Sequence, residues 1–191
     1  MNVVTLLSDQ AATQGEAPAI VQGVGSRSRS ISFKGLEQAV AQRAAMLREA
    51  GLAPGERVVL LGSMSIELYV ALLAVFHAGL VAVVPDGSSG LGRLNACVKL
   101  VEPEAVISSG KAQLLRWLCP AIGRIERRFP LAAFNPPGSA SAHAQPPAGT
   151  PVPHARDDEA EALVSFTSGS TARPKAVVRS HGLLDAQHRA L

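Results

Sequence analysis

The sequence predicts an α/β fold: a doubly wound, mostly parallel sheet with flanking helices, followed by a strand, a loop and a returning strand. Two observations carry this expectation. Short apolar runs at Arg57–Leu61, Leu80–Val84 and Ala105–Ser108 alternate with stretches whose apolar residues recur at helical spacing. The runs are continuously apolar, as strands covered on both faces are, and lack the alternation of a sheet with one face in water. A strand, helix, strand unit nearly always crosses over right-handed with its strands parallel, so repeating it builds a single parallel sheet.

The first regular element in this reading is a helix from about Phe33, after an ill-defined start. Ser32 is placed to cap it, Leu36, Val40, Ala44 and Leu47 share one side, and Gly51 ends it. Ala53-Pro54-Gly55-Glu56 turns the chain into the strand Arg57–Leu61. Gly62-Ser63 then leads into a helix carrying Ile66, Leu68, Leu72 and Val75, which Gly79 stops. Leu80–Val84 follows as a buried strand ended by Pro85-Asp86-Gly87. A helix at Leu91–Val101, a strand at Ala105–Ser108 and a helix at Lys111–Leu118 extend the alternation.

Residues 1–134 are thus expected to form an N-terminal α/β subdomain. Residues 135–160 read as a flexible Pro/Ala/Gly-rich connector with no hydrophobic periodicity, closed by the acidic run Asp157-Asp158-Glu159. Residues 161–191 carry a strand at Ala162–Phe166, a loop, a strand at Ala176–Val178 and the start of a helix from Ser180. His143 and His154, in or beside the connector, are expected to be solvated.

Composition narrows the function classes. The chain has 191 residues, enough to bury a sizeable core, and a formal net charge of +3. Its basic residues are scattered, so nucleic acid is not indicated. Arg124, Arg127 and Arg128 read as a solvated helix face. Cys97 and Cys119 lie in apolar stretches without metal-ligand spacing, which suits core packing in a reducing cytosol and predicts no metal site. No secretory leader is expected from the first ten residues. The 17-residue run Leu68–Val84 could pass for a membrane span, but a helix stopped by glycine and followed by a strand cannot cross a bilayer as one helix.

The residues that carry chemistry lie between the last two strands, in Phe166-Thr167-Ser168-Gly169-Ser170-Thr171-Ala172-Arg173-Pro174-Lys175. Thr167, Ser168, Ser170 and Thr171 offer hydroxyl donors. Gly169 lets the backbone approach closely and turn its N–H groups inward. Lys175 adds a point charge whose direction is set by the fixed φ of Pro174. Such a loop suits a polyphosphate. A Walker-type loop would need Gly-Lys followed directly by Ser or Thr, whereas Lys175 stands between Pro174 and Ala176.

The order Thr-Ser-Gly-Ser-Thr-x-x-Pro-Lys resembles the phosphate loop of the adenylate-forming superfamily, which includes acyl-CoA synthetases, aryl-CoA ligases, peptide-synthetase adenylation domains and luciferases. Ala172 and Ala176 depart from it, standing where glycine is common. The resemblance extends upstream to Gly51–Val58, to Glu67 with Ala71–Gly79, and to Val84-Pro85-Asp86, so it covers most of residues 30–191. It gives Arg57, Glu67 and His77 no catalytic task; they read as turn, helix-surface and interface residues. His181 falls where family members often carry histidine, and a structural role at a helix start is the better reading than a general base.

The resemblance implies attack of a carboxylate, fatty or aromatic, on the α-phosphorus of ATP with Mg2+. It then implies transfer of the acyl group, commonly to the thiol of CoA or a carrier protein, in the cytoplasm. Thr167, Ser168, Gly169, Ser170, Thr171 and Lys175 would bind the phosphates. Ser168, Ser170, Thr171 and Lys175 make the principal contacts in this reading, and Thr167 serves the turn. No catalytic residue of the family falls in this chain, whose last helix has an apolar side and no stop signal, so the sequence reads as truncated relative to the family. Two readings stay open. One is the opening portion of an acid-activating ligase, with a second chain as one source of the missing part; the other is a non-catalytic remnant or interaction module with at most weak polyphosphate binding.

Overall fold

The computed structural model describes residues 2–24, 28–86, 90–110, 112–136, 152–167 and 174–190. The chain opens with α1 (Thr5–Gln14), then β1 (Pro18–Gln22) pairs antiparallel with β2 (Arg29–Ser32). None of these three was expected. α1 has almost no amphipathic contrast to betray it, because its buried face is little more than Leu7. Two strands of five and four residues carry too little pattern to separate them from loop.

α2 (Phe33–Glu49) begins as predicted, with the Ser32 hydroxyl accepting from Gly35 N at 3.2 Å. Its apolar side (Leu36, Val40, Ala44, Leu47) is buried. β3 (Arg57–Leu61), α3 (Ile66–His77) and β4 (Val81–Val84) form the expected strand, helix, strand unit, with β3 and β4 parallel. α4 (Leu91–Val101) and β5 (Ala105–Ser108) match their predicted bounds.

The helix expected over Lys111–Leu118 is a correction: a 3-10 turn at Ala112–Leu114 runs into the single turn α5 (Leu115–Leu118), followed by α6 (Pro120–Gly123). Pro120, beyond the expected span, starts the separate turn α6, and Lys111 lies outside the described residues. A second correction concerns the arginines. Arg127 and Arg128 lie on a strand, β6 (Arg127–Pro130), where Arg127 pairs with Glu56 at 3.0 Å and Arg128 donates to the carbonyls of Ile122, Gly123 and Ile125. Arg128 is exposed and Arg127 partly so, so the correction is to the element, a strand rather than a helix, and not to their contact with water.

β7 (Glu161–Thr167) and β8 (Lys175–Ser180) complete a six-stranded sheet in the order β6-β5-β3-β4-β7-β8, with only β8 antiparallel. α7 (His181–Arg189) follows, capped by the Ser180 hydroxyl on Leu183 N. Side chains of β3, β4 and β5 alternate between two cores, and an irregularity in β7 between Glu161 and Leu163 lets Ala162 and Val164 enter different ones. Val58, Leu60, Ala82, Ala105, Ile107 and Ala162 point to the layer beneath α1, α2 and α3. Val59, Leu61, Val81, Val83, Val106 and Val164 point to the layer beneath α4, α5 and α6. The sheet is therefore doubly wound and covered on both faces, which is why its strands read as continuous apolar runs.

Glu67 and Arg57, read as surface and turn residues, are more deeply engaged, and His77, read as an interface residue, is buried. Glu67 is buried against Arg29 at 2.9 Å, His77 is 3 % exposed, and Arg57 at the start of β3 pairs with Glu161 at the start of β7. Burial pushes the Glu67 carboxyl up, but its own backbone N–H, the Ser65 side chain and Arg29 outweigh this and hold it below the ordinary value. The proline-rich stretch is anchored where it is described. Arg43 donates to Asn135 O at 2.8 Å, His154 N donates to His77 O, and Asn2 Nδ2 donates to His154 O. Among the described residues no helix is long and apolar enough to cross a membrane.

Candidate functional site

In an open parallel sheet, ligands bind outside the carboxyl ends of the strands, where successive connections leave toward opposite faces. Here that place lies beside β4. The connection after β3 goes to α3 on one face, and the connection after β4 goes to α4 on the other. β7 lies next to β4 and runs parallel to it, with Val84 in register with Ser165. The hydroxyl-rich loop leaves from the same end.

The mouth of that loop is well defined. β7 and β8 pair antiparallel up to Thr167 opposite Lys175, so the loop is closed at its base by the last pair of the ladder. Thr167 and Lys175 are both exposed. The ammonium of Lys175 therefore stands in solvent at the loop's exit, available to an anion. Below the mouth, Arg179 of β8 donates to Ser165 Oγ of β7 at 2.7 Å, and Phe166 packs against the second core. Both contacts stiffen the hairpin that carries the loop.

Of the predicted site residues, Thr167 and Lys175 are brought together. Ser168, Gly169, Ser170 and Thr171, with Ala172 and Arg173, lie outside the described residues. Sequence reasoning missed Arg93, whose Nη2 donates to Thr167 O at 2.8 Å. A signal for it existed: Arg93 sits in the first turn of α4, where a cation opposes the helix dipole, and its position follows a strand end.

His181 belongs elsewhere. It stands one residue past β8, whose far end is Lys175, so a rise of about 3.4 Å per residue puts it roughly 20 Å from the loop. Its ring is fully buried, accepts from Val3 N at Nδ1 and meets Phe76 edge-on with centroids 6.0 Å apart. Burial first, and then Arg156, lowers its pKa to about 4, with Asp158 opposing. A neutral imidazole at the opposite end of the sheet is a packing residue, as the sequence suggested.

Residues 7–191 match the AMP-binding enzyme family, and the chain belongs to it. Among curated relatives, the olefin beta-lactone synthetase of Stenotrophomonas maltophilia is 30 % identical over 171 residues, covering 83 % of this chain and 29 % of that protein. Two solved structures share the fold. Apo MatB from Rhodopseudomonas palustris superposes with a TM-score of 0.77 at 22 % identity, over 100 % of this chain and 36 % of that one. The fatty acyl-adenylate ligase from L. pneumophila, in complex with acyl adenylate and pyrophosphate, gives 0.71 at 23 % identity, over 98 % and 32 %. The chain thus spans about a third of each of these proteins. Its likeness covers the N-terminal part of the adenylating fold, with its mostly parallel six-stranded sheet.

Proposed function

We propose that this chain grips the β- and γ-phosphates of ATP through the loop between Thr167 and Lys175, and contributes that grip to an AMP-forming acid ligase. The observation that supports it best is the closure of the hairpin: the Thr167–Lys175 pair brings both ends of a hydroxyl-rich segment together at the carboxyl end of a parallel sheet, with a lysine free in solvent beside it. Ser168, Gly169, Ser170 and Thr171 would contribute hydroxyls and backbone amides between those ends.

In the reaction of this reading, a carboxylate oxygen forms a bond to the α-phosphorus while the bond from the α-phosphorus to the oxygen that bridges it to the β-phosphate breaks. The electron pair leaves with pyrophosphate. Negative charge gathers on the departing group, and preorganised donors stabilise the transition state there more than in the ground state. Mg2+ would supply further charge neutralisation, held through the phosphates and one or two carboxylates; among the described residues no group of three metal-ligating side chains gathers. The acid, fatty or aromatic, and the thiol acceptor, CoA or a carrier protein, belong to the same proposal, as does a cytoplasmic setting.

Equilibrium binding of ATP tests the grip. Lys175→Ala should weaken ATP about 10- to 100-fold, as expected for a charge-assisted contact, while leaving the melting temperature within a few degrees. Equal affinity in the variant would remove the loop assignment. The non-catalytic reading is favoured by Ala172, which adds a Cβ where the family commonly has glycine. It is separated by isotope exchange between pyrophosphate and ATP, measured with this chain together with the remaining part of the adenylating fold: binding without exchange there supports it, and acid-dependent exchange excludes it.

A further inference from the structure

We infer that Arg93 is a positioning residue for the phosphate grip: its guanidinium fixes the point at which the chain leaves β7, and with it the base of the loop. The inference rests on the polyphosphate reading of that loop.

Three observations lead there. First, β7 outruns its parallel neighbour. The β4 register ends with Val84 opposite Ser165, whereas β7 continues through Phe166 to Thr167. Among the described residues no β4 residue is in register with Phe166 or Thr167, and the Thr167 carbonyl accepts from Arg93 Nη2 at 2.8 Å. An arginine side chain thus takes up a backbone acceptor just where parallel pairing has ended. Thr167 is fastened from two elements, by Lys175 in the β8 ladder and by Arg93 from α4.

Second, Arg93 is poorly explained as a helix residue. It lies in the first turn of α4, which has no acidic residue in that turn and no side-chain cap at Gly90. A cation at the positive end of a helix dipole disfavours the helix. Its position is accounted for by what it reaches, a carbonyl 74 residues away in sequence.

Third, the contact crosses the place where the sheet's connections diverge. α4 follows the connection after β4, and Thr167 is the last residue of β7, directly before the hydroxyl-rich segment in the sequence. The guanidinium therefore ties the two strand-end connections nearest the site. A hydrogen bond from a charged donor is among the stronger single contacts a protein makes; this one lies at the exposed strand end, with Arg93 itself partly buried.

The test uses the 191-residue chain with inorganic pyrophosphate and ATP as probes, in three variants: Arg93→Ala, Arg93→Lys and Lys175→Ala. Titration calorimetry reads affinity, thermal melting reads stability, and amide hydrogen exchange reads the strand end. Arg93→Ala should weaken both probes about tenfold, lower the melting temperature by less than about 4 °C, and quicken exchange at Phe166 and Thr167 without quickening it at Leu163 and Val164. Arg93→Lys, which keeps a donor and a charge, should recover most of the affinity. A purely structural role would lower stability and quicken exchange along all of β7 while leaving the affinity of the folded protein unchanged.

The outcomes separate the two levels of the argument. If the parent chain binds, Lys175→Ala loses binding and Arg93→Ala keeps it within twofold, the role of Arg93 is overturned and the polyphosphate reading stands. If the parent chain binds neither probe, or Lys175→Ala binds as well as the parent, that reading fails and the role of Arg93 fails with it. Should Arg93→Ala not fold, Arg93→Lys and Arg93→Gln decide in its place: a loss confined to Arg93→Gln supports the inference, and parental affinity in Arg93→Gln overturns it.

Discussion

At His181 a single proton is worth a measurable share of the stability. The ring is fully buried, its Nδ1 accepts from Val3 N, and its Nε2 has no hydrogen-bond partner among the described residues. Its folded pKa of about 4 lies below the ordinary 6.5. Above pH 6.5 the group is neutral in both states and does nothing to stability. Between pH 6.5 and 4 the unfolded chain takes up the proton and the folded chain does not, so stability falls by about 3 kcal/mol over that window and then levels. Urea unfolding at pH 7 and at pH 4.5 should show this loss in the parent. His181→Gln, which removes the titration, should start less stable at pH 7 and lose visibly less on acidification. Parallel curves for the two proteins would show that other carboxylates and histidines dominate.

At the scale of elements, two helices end in the same way. Gly51 after α2 and Gly79 after α3 both have positive φ, of 80° and 78°. In each case the glycine N–H returns to a carbonyl three residues back, and the next N–H to one five back: Gly51 to Arg48 and Leu52 to Leu47, Gly79 to Phe76 and Leu80 to Val75. This pairing defines a Schellman stop. The surroundings differ. A Cβ on Gly51 would find nothing nearer than Arg127 Nη2 at 4.0 Å, whereas one on Gly79 would meet the His154 ring at 2.7 Å. Gly51→Ala should therefore cost only the left-handed strain, about 1–2 kcal/mol. Gly79→Ala should cost more by urea unfolding, and His154→Ala in the same chain should bring the two costs together.

The same elements show what was legible before the structure. Both glycine stops were readable because the chemistry that ends a helix sits in one residue at a fixed place. β3, β4 and β5 were readable because burial on both faces leaves an uninterrupted apolar run. α1 and the β1–β2 hairpin were not, since each buries a single row of side chains and has too few residues to show a period. β6 was misread as a helix face because the parallel pairing with β5 that makes it a strand exists only in the folded sheet. At the site, the loop's residue types carry the proposal of phosphate binding. Arg93 did not, because its meaning lies in a carbonyl that only the folded sheet brings within reach.

At the scale of the molecule, the question is whether residues 161–190 form a separate unit joined by the proline-rich stretch or part of one cooperative sheet. β7 is an interior strand, paired to β4 on one side and β8 on the other. Ala162 and Val164 are buried on opposite faces, one in each core. Arg57 and Glu161 tie the starts of β3 and β7 across the intervening β4. Opening β7 alone would expose both cores and an interior row of backbone groups, so little free energy separates that event from global unfolding. Native-state hydrogen exchange should therefore place the amides of Leu163 and Val164 with those of Val59, Val83 and Val106 in the slowest group, at the free energy measured by urea. Exchange in β8, an edge strand, should be faster. If residues 161–180 instead exchanged together at a distinctly lower free energy than β3 and β4, the connector would mark a true unit boundary, and the phosphate grip would sit on a segment able to open while the rest of the sheet stays folded.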